Sequence, residues 1–505
     1  MNLFKIAWRS IQYRGFASAL TMFSMSLGVM LVVGVLSIHS VVSESFQKNS
    51  SLGYNMIVGA TKGGKLQLTL NTVFYLSSPV ENIPYHYYLE FHDKERRQQE
   101  LQFALSKIGH DEMWNAVATQ QQLDGGIGLP LASSLAASTG MNAIKQRHSD
   151  KLELERDGRY ANFVKLAIPV CLGDFYDRFL VIGTTPEFFN DIIIDEESGK
   201  KFEFAKGRNF EHFNEEHGYW EGVVGSTVAA EKGLKIGDTI SPAHGAPDGH
   251  THDRGFTIVG ILKPSGTPND RGVFVNMEGF FLIEDHVKPV EEKVSDDDEL
   301  IEEQDDAVHV SDSPFDRITP LPIEQREVTA ILVRTKDARM APFLYNTINE
   351  GQYAQAALPV RQIFSLFETI VQPIQFVFLL LTGMICVVSG VSILVSIYNS
   401  MSDRRQEIAV MRALGAKRDT IMIIILLESL LLSLGGGAIG WLSAHVLNVL
   451  ASSRIEAKTG VALHFFDMAP SEWYLIPGLV FLAILVGFIP AFSAYRTDVA
   501  QSLGK

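Results

Sequence analysis

A histidine-rich stretch offers the side chains of a metal site. The stretch "HGAPDGHTHDRG", residues 244–255, contains His244, His250, His252 and Asp253. Imidazole and carboxylate groups are ligands that Zn²⁺ and Cu²⁺ accept. Gly and Pro interrupt the stretch, however, and no helical or strand spacing fixes the four side chains. Two interpretations stay open, a metal-binding loop and a flexible loop without a function, and the irregular spacing favours the second.

A second stretch has most of the letters of a phosphate-binding loop. "GATKGGKL", residues 59–66, places a glycine five positions before Gly64 and Lys65. Such a loop also needs a Ser or Thr hydroxyl for Mg²⁺ directly after the lysine, and it lies in a cytoplasmic α/β domain. Leu66 occupies the hydroxyl position. We therefore interpret the stretch as a glycine-rich turn and expect no nucleotide to bind there.

Composition excludes several classes of protein. The 505 residues carry a net charge of −15, which argues against a nucleic-acid binder because such proteins need a basic surface. Cys171 and Cys386 are the two cysteines, too few for a disulfide framework. No G-x-S-x-G, H-E-x-x-H or C-x-x-C motif occurs, so nothing indicates an enzyme. A hydrophobic fraction of 46% beside 20% charged residues predicts a chain with both membrane and water-exposed parts.

Four apolar runs each exceed the roughly 18 to 20 residues that a membrane-spanning helix needs. They cover about Phe16–Val42, Ile370–Tyr398, Thr420–Leu450 and Trp473–Tyr495. The first run is longer than the core of a signal peptide and no A-x-A cleavage site follows it, so we expect it to persist as an anchor. Residues 1–14 have the pattern of an amphipathic helix lying in the membrane interface.

Lys and Arg residues predict the orientation of the spans, because they concentrate in cytoplasmic segments. They precede the first run, fill the loop between the second and third runs, and follow the fourth: Lys5, Arg9, Arg14, Arg404, Arg405, Arg412, Lys417, Arg418, Arg496 and Lys505. Both termini and the 400–419 segment are therefore expected in the cytoplasm. The long region between the first two runs is then outside.

The outer region has mixed patterning, with short strands such as "YNMIVGA", "FTIVGIL" and "AILVRTK" and helices near 95–107 and 342–349. This predicts an α+β domain. Residues 291–306 hold ten carboxylates and one lysine, which is typical of a solvated loop.

"MSDRRQEIAVMRALGAKRDTI", residues 401–421, is predicted to form a short amphipathic helix that stops at Gly415. Ile408, Met411 and Leu414 share one face, surrounded by charged side chains. An apolar ridge of this kind fits the groove of a partner protein, or alternatively rests on lipid headgroups.

This stretch resembles the "ERRxEIAxLRALGAxxxxI" signature of the MacB/FtsX/LolC-type ABC transporter permeases. "VVGSTVAAEKGLKIGDTI" and "FTIVGIL" look like the MacB-like outer domain, "LLESLLLSLGGGAIG" resembles the family's third span, and "PAFSAYRTDVAQSL" resembles its C-terminal segment. The resemblance implies a membrane protein with four transmembrane α-helices and a large extracytoplasmic α+β domain between spans 1 and 2. The expected segments are an interfacial helix at 1–15, spans at 16–43, 370–399, 420–450 and 473–495, the outer domain at 44–369, the coupling helix at 400–419, an outer loop at 451–472 and a tail at 496–505.

The resemblance also implies function. It predicts a non-catalytic permease of the bacterial inner membrane that forms a homodimer or pairs with a related permease. A separate ABC ATPase, which binds ATP and Mg, is expected to bind to the coupling helix. It is expected to drive the export or extraction of a peptide, lipid, lipoprotein or small toxic molecule. Some systems of this kind also use a membrane-fusion-type adaptor. The expected ATPase-coupling residues are Arg404, Arg405, Glu407, Ile408, Met411, Arg412, Leu414 and Gly415. Alternatives are FtsX-like signalling to a cell-wall hydrolase and metal-related transport through the histidine-rich loop.

Polar and small residues inside the third span are the remaining candidates. Glu428 is a carboxylate within the membrane, where it is expected to face protein. It is expected either to pair with an arginine or with interfacial water near the coupling helix, or to take part in transmission. Gly436 and Gly440 have the G-x-x-x-G spacing that lets two helices approach closely, within one chain or across a dimer.

Overall fold

The computed structural model describes residues 3–49, 52–76, 79–105, 149, 152–195, 199–245, 249, 254–283, 320–403, 410–412, 415–459 and 464–496. The chain divides into two compact units. One comprises residues 1–46 and 365–505, and the other comprises residues 47–364. The acidic segment 291–306 lies outside the described residues.

The helices are, in chain order, α1 (Leu3–Tyr13), α2 (Gly15–Asn49), α3 (Lys65–Phe74), α4 (Tyr85–Leu89), α5 (Lys94–Leu105), α6 (Glu187–Asp191), α7 (Ser226–Lys232), α8 (Met277–Phe281), α9 (Ala341–Asn349), α10 (Pro359–Leu366), α11 (Gln372–Asp403), α12 (Arg418–Thr459) and α13 (Leu475–Arg496). A π-helical turn, Phe367–Val371, joins α10 to α11. Among the described residues, four stretches are long and apolar enough to cross a membrane: Gly15–Phe46, Pro359–Asn399, Arg418–Ser452 and Pro470–Ser493.

The unit of residues 1–46 and 365–505, called the membrane unit below, is held together by an apolar cluster with members from α1, α2, α11, α12 and α13. Met25, Ile393, Leu432 and Val486 are buried in it, one from each of the four spans. Large apolar side chains on the outer surfaces of the same helices are exposed. Apolar side chains both inside the unit and on its surface are expected for helices whose outer faces contact lipid.

The other unit is built on a mixed sheet. Its strands are β1 (Met56–Gly59), β2 (Ile83–Pro84), β3 (Val164–Tyr176), β4 (Phe179–Thr184), β5 (Ile193–Asp195), β6 (Lys200–Lys201), β7 (Phe204–Gly207), β8 (Glu221–Val224), β9 (Thr239–Ile240), β10 (Ala243–His244), β11 (Phe256–Leu262), β12 (Val273–Asn276), β13 (Glu327–Val328), β14 (Ala330–Thr335) and β15 (Gln355–Ala357). Nine strands follow the order β15-β1-β14-β3-β4-β12-β8-β11-β7, with β10 beside β3 and β9 beside β11. The β4–β12 and β8–β11 pairs are parallel and the others antiparallel.

The strands predicted from "YNMIVGA", "FTIVGIL" and "AILVRTK" are β1, β11 and β14, and α5 and α9 cover the two predicted helices. The glycine-rich stretch links β1 to α3. Lys65 donates a hydrogen bond from Nζ to the hydroxyl of Tyr345 (2.7 Å) and lies 4.4 Å from the centre of that ring. The lysine therefore holds α3 on α9 in the structure.

Candidate coupling segment and polar contacts of the spans

The predicted coupling helix is described in part. Val410, Met411 and Arg412 are helical, and Arg404, Arg405, Glu407, Ile408 and Leu414 lie outside the described residues. Gly415 lies in a turn after this segment and has a φ of +100°. The Gly415 amide donates to the Arg412 carbonyl (3.0 Å) and the Ala416 amide donates to the Met411 carbonyl (3.0 Å). Glycine adopts this left-handed conformation without the steric cost that a Cβ brings, so the position favours it.

The two apolar side chains of this turn face different surroundings. Met411 is half-buried and packs on the cluster that contains Ile11, Ile421 and Ile425. Val410 is 47% exposed. Met411 therefore anchors the segment on the membrane unit, while Val410 is available to a partner. The sequence predicts Met411 on the partner-facing ridge. The structure packs Met411 on the membrane unit and leaves Val410, which was not among the predicted residues, exposed.

Glu428 lies beside Arg14, the last residue before the first span. Its Oε1 is 3.3 Å from Nη2 of Arg14, and both side chains are largely buried. Arg14 also donates from Nη1 to the Ser396 carbonyl (2.8 Å) and from Nη2 to the Ser396 hydroxyl (3.3 Å). These contacts join the start of α2, the last part of α11 and the first part of α12. They satisfy charges whose isolation in a low-dielectric interior is costly.

We expect Glu428→Leu to lower the free energy of unfolding by about 3–5 kcal/mol, because it leaves the Arg14 guanidinium buried without this carboxylate. The double variant Arg14→Met/Glu428→Leu should recover most of that loss, since neither charge of this pair then remains. Chemical unfolding of the full chain in detergent, arranged as a double-mutant cycle, measures both effects. A double variant that loses the sum of the two single effects would show that the pair is not coupled.

Gly436 and Gly440 face α2. A Cβ built on Gly440 would lie 2.4 Å from the Ser26 carbonyl oxygen, and one built on Gly436 would lie 2.8 Å from Cβ of Met25. No Cβ tolerates such distances, so the two helices approach as closely as they do because both positions are glycine. The structure thus places this G-x-x-x-G contact within one chain.

A second polar cluster lies where α12 approaches the turn before α13, and the sequence did not indicate it. Glu472 is buried and accepts hydrogen bonds from the Ser37 hydroxyl (2.8 Å) and from Nε1 of Trp441 (3.0 Å). Its Oε2 is 3.2 Å from Nε2 of His445, and its Oε1 accepts from the Ala469 amide (3.0 Å). One carboxylate thereby ties α2, α12 and the start of the fourth span together. Glu472 precedes an apolar run, where an acidic residue in the first helical turn is ordinary.

Of the histidine-rich stretch, His244 is described. It belongs to β10, and its Nδ1 is 3.3 Å from Oδ1 of the buried Asp174 on β3. His250, His252 and Asp253 lie outside the described residues. Within the part of the chain that the structure describes, no three His, Cys, Asp or Glu side chains are grouped closely enough to hold a metal ion.

Two family models match the chain. The FtsX-like permease C-terminal model matches residues 377–499, and the MacB-like periplasmic core domain model matches residues 18–341. The two matches therefore include all four candidate spans, in part or in full, and most of the sheet-containing unit.

Individual proteins are similar to parts of the chain. A macrolide export ATP-binding/permease protein MacB of Bordetella avium is 35% identical over 25% of this chain and 19% of its own length. An uncharacterized ABC transporter permease of Methanocaldococcus jannaschii is 24% identical over 53% of this chain and 56% of its own length. A probable export ATP-binding/permease protein of Pseudomonas fluorescens is 23% identical over 38% of this chain and 30% of its own length. The alignments thus span at most 56% of the length of these relatives. One family model covers well over half of the sequence, and the other covers part of the second span and the whole of the third and fourth. The chain therefore belongs to the FtsX-like ABC transporter permeases that carry a MacB-like periplasmic core domain.

Proposed function

We propose that this chain is the membrane subunit of an ABC export system in a bacterial inner membrane, with both termini in the cytoplasm. A separate ATPase subunit, which binds ATP and Mg, docks on the segment around residues 401–417. Its motion passes through the spans to the extracytoplasmic domain, which exports or extracts a substrate. The observation that carries this proposal is the segment before Gly415, anchored by Met411 on the membrane unit with Val410 exposed beside it.

The polar and glycine contacts of the spans support transmission of force. The Arg14–Glu428 contact joins the turn before α2 to the third span, and the Glu472 cluster joins α2 itself to that span. Between them, Gly436 and Gly440 bring the backbones of the same two helices together. A helix pair fixed in this way moves as one body when the coupling segment is displaced. Transmission through rigid, packed elements is the ordinary physical route between distant sites.

A dimer, either of two copies or with a related permease, is part of the proposal. A cleft of about 860 Å³ runs between α2 and α11. Its lining combines apolar side chains such as Leu27 and Val391 with the hydroxyls of Thr21, Ser24 and Ser392. These hydroxyls are already bonded within the chain, Thr21 to the Ala17 carbonyl, Ser24 to the Ser389 hydroxyl and Ser392 to the Val388 carbonyl. An apolar helix face can therefore fill the cleft without leaving these hydroxyls unpaired.

Purification of the tagged full chain in mild detergent tests the function. We expect an ATP-binding subunit to copurify at a fixed ratio and nucleotide hydrolysis to require that subunit. Hydrolysis by the chain alone would contradict the proposal. Other copurifying proteins distinguish export from the two alternative functions. A membrane-fusion-type adaptor supports export, and a cell-wall hydrolase supports FtsX-like signalling. A metal-binding secreted protein supports metal-related transport.

A further inference from the structure

The helix α1 divides its surface into three stripes. Ala7, Ser10 and Ile11 are buried, with Ile11 in the cluster that includes Ile421 and Ile425 of α12. Phe4 and Trp8 are 53% and 47% exposed. Lys5 and Arg9 are also exposed. At about 100° per residue, the two aromatic side chains lie between the buried stripe and the cationic stripe. The sequence predicts an amphipathic helix here, and the structure shows that only part of its apolar surface is buried.

The chain turns between α1 and α2, so α1 does not simply extend the first span. The Ser18 hydroxyl donates to the Ile11 carbonyl at 3.1 Å. Seven residues of a straight helix rise about 10 Å, which is too far for this hydrogen bond. Arg14 lies at the turn, where its contacts with Ser396 and Glu428 fix the corner. The exposed stripes of α1 are therefore held at one end of the first span by specific bonds.

We propose that α1 binds the headgroups of anionic phospholipids through Lys5 and Arg9, while Phe4 and Trp8 enter the boundary between headgroups and acyl chains. The order of the stripes fits this arrangement, since aromatic side chains prefer the interface and cations lie farther out, at the phosphates. Charge complementarity favours an anionic lipid, because Lys5 and Arg9 are cations and α1 contains no acidic residue. Tyr13 and Phe16 are also exposed, one on each side of the turn.

The lipid contact reaches the coupling segment through the protein. Ile11, on the buried stripe, and Met411 both pack in the apolar cluster that contains Ile421 and Ile425 of α12. Lipid bound to the outer stripes of α1 thus fixes the position of the same apolar cluster that anchors the segment before Gly415. The lipid site itself does not depend on the identity of the ATPase, so a failure of this proposal and a failure of the proposed function are distinguishable.

Titration of the full chain in neutral detergent with brominated phosphatidylglycerol or brominated phosphatidylcholine tests the site, because bromine quenches nearby tryptophan fluorescence. We expect phosphatidylglycerol to quench at a midpoint about tenfold lower than phosphatidylcholine. Lys5→Glu/Arg9→Glu should remove this difference, as each cation near an anionic surface contributes to affinity. Trp8→Phe should remove the component of quenching that has the low midpoint.

Lys165→Glu/Lys235→Glu provides the matched control, since it reverses two exposed cations in the other unit and should keep the wild-type midpoints. Thermal unfolding of every variant confirms that the changes at exposed positions leave the fold intact. Equal midpoints for the two lipids in the wild-type chain would overturn the proposal. So would a low-midpoint quenching component that survives in Trp8→Phe, because the bound lipid would then lie elsewhere.

Discussion

Gly440→Leu should prevent the membrane unit from folding stably. Its Cβ would lie 2.4 Å from the Ser26 carbonyl and 2.9 Å from Cβ of Val29, and the remaining side-chain atoms would need still more room. The obstructing Ser26 atoms belong to the backbone of α2, so no rotamer change relieves the overlap, and α2 and α12 must separate. Overpacking of a core costs about 1–3 kcal/mol when side chains can adjust, and we expect a larger loss here.

The measurement is the unfolding midpoint and the monodisperse yield of the full chain in detergent. Gly34→Leu is the matched control, because Gly34 lies in the first span and a Cβ there meets nothing within 4 Å. It should keep the wild-type midpoint, or raise it slightly through the better helix propensity of leucine. Gly440→Ala should fall between the two. Equal losses in Gly440→Leu and Gly34→Leu would mean that the close approach of α2 and α12 is not what stabilises the unit.

The spans illustrate which features a sequence reveals. Runs of apolar residues longer than a bilayer is thick predict four membrane helices because length and hydropathy are local properties. The spacing of Gly436 and Gly440 likewise predicts a close contact. It cannot name the partner helix, since a second copy of the same helix would satisfy the same pattern. The partner in the structure is α2, more than 400 residues earlier in the chain.

The buried carboxylates show the same limit more sharply. Glu428 stands out in the sequence because it interrupts an apolar run, and an arginine partner was among the expectations. Glu472 does not stand out, because it precedes a span and has the position of an ordinary helix-start residue. Its importance comes from Ser37, Trp441 and His445, which are brought to it from two other helices. A contact between distant segments has no local pattern that would reveal it.

Val410→Asp/Leu414→Asp should abolish copurification of the ATPase while the chain still inserts and folds. The sequence predicts that Leu414 belongs to the apolar ridge of this helix, and Val410, which is exposed, lies four positions earlier, the spacing of neighbours on one helical face. Two carboxylates on an apolar docking face would have to be desolvated without a partner, so binding should weaken by well over tenfold. The ratio of ATPase to permease after purification measures the effect.

Met411→Asp should behave differently, and this difference tests the orientation of the segment. Met411 packs on the cluster of Ile11, Ile421 and Ile425, so a carboxylate there should lower the unfolding midpoint as well as ATPase binding. Val80→Asp is the control, because Val80 is also 47% exposed but belongs to the other unit. It should leave copurification unchanged. The opposite result would be a Met411→Asp variant that keeps the wild-type unfolding midpoint but no longer copurifies with the ATPase, together with a Val410→Asp/Leu414→Asp variant that still does. Met411 would then face the partner, and its contact with the apolar cluster would not be the basis of coupling.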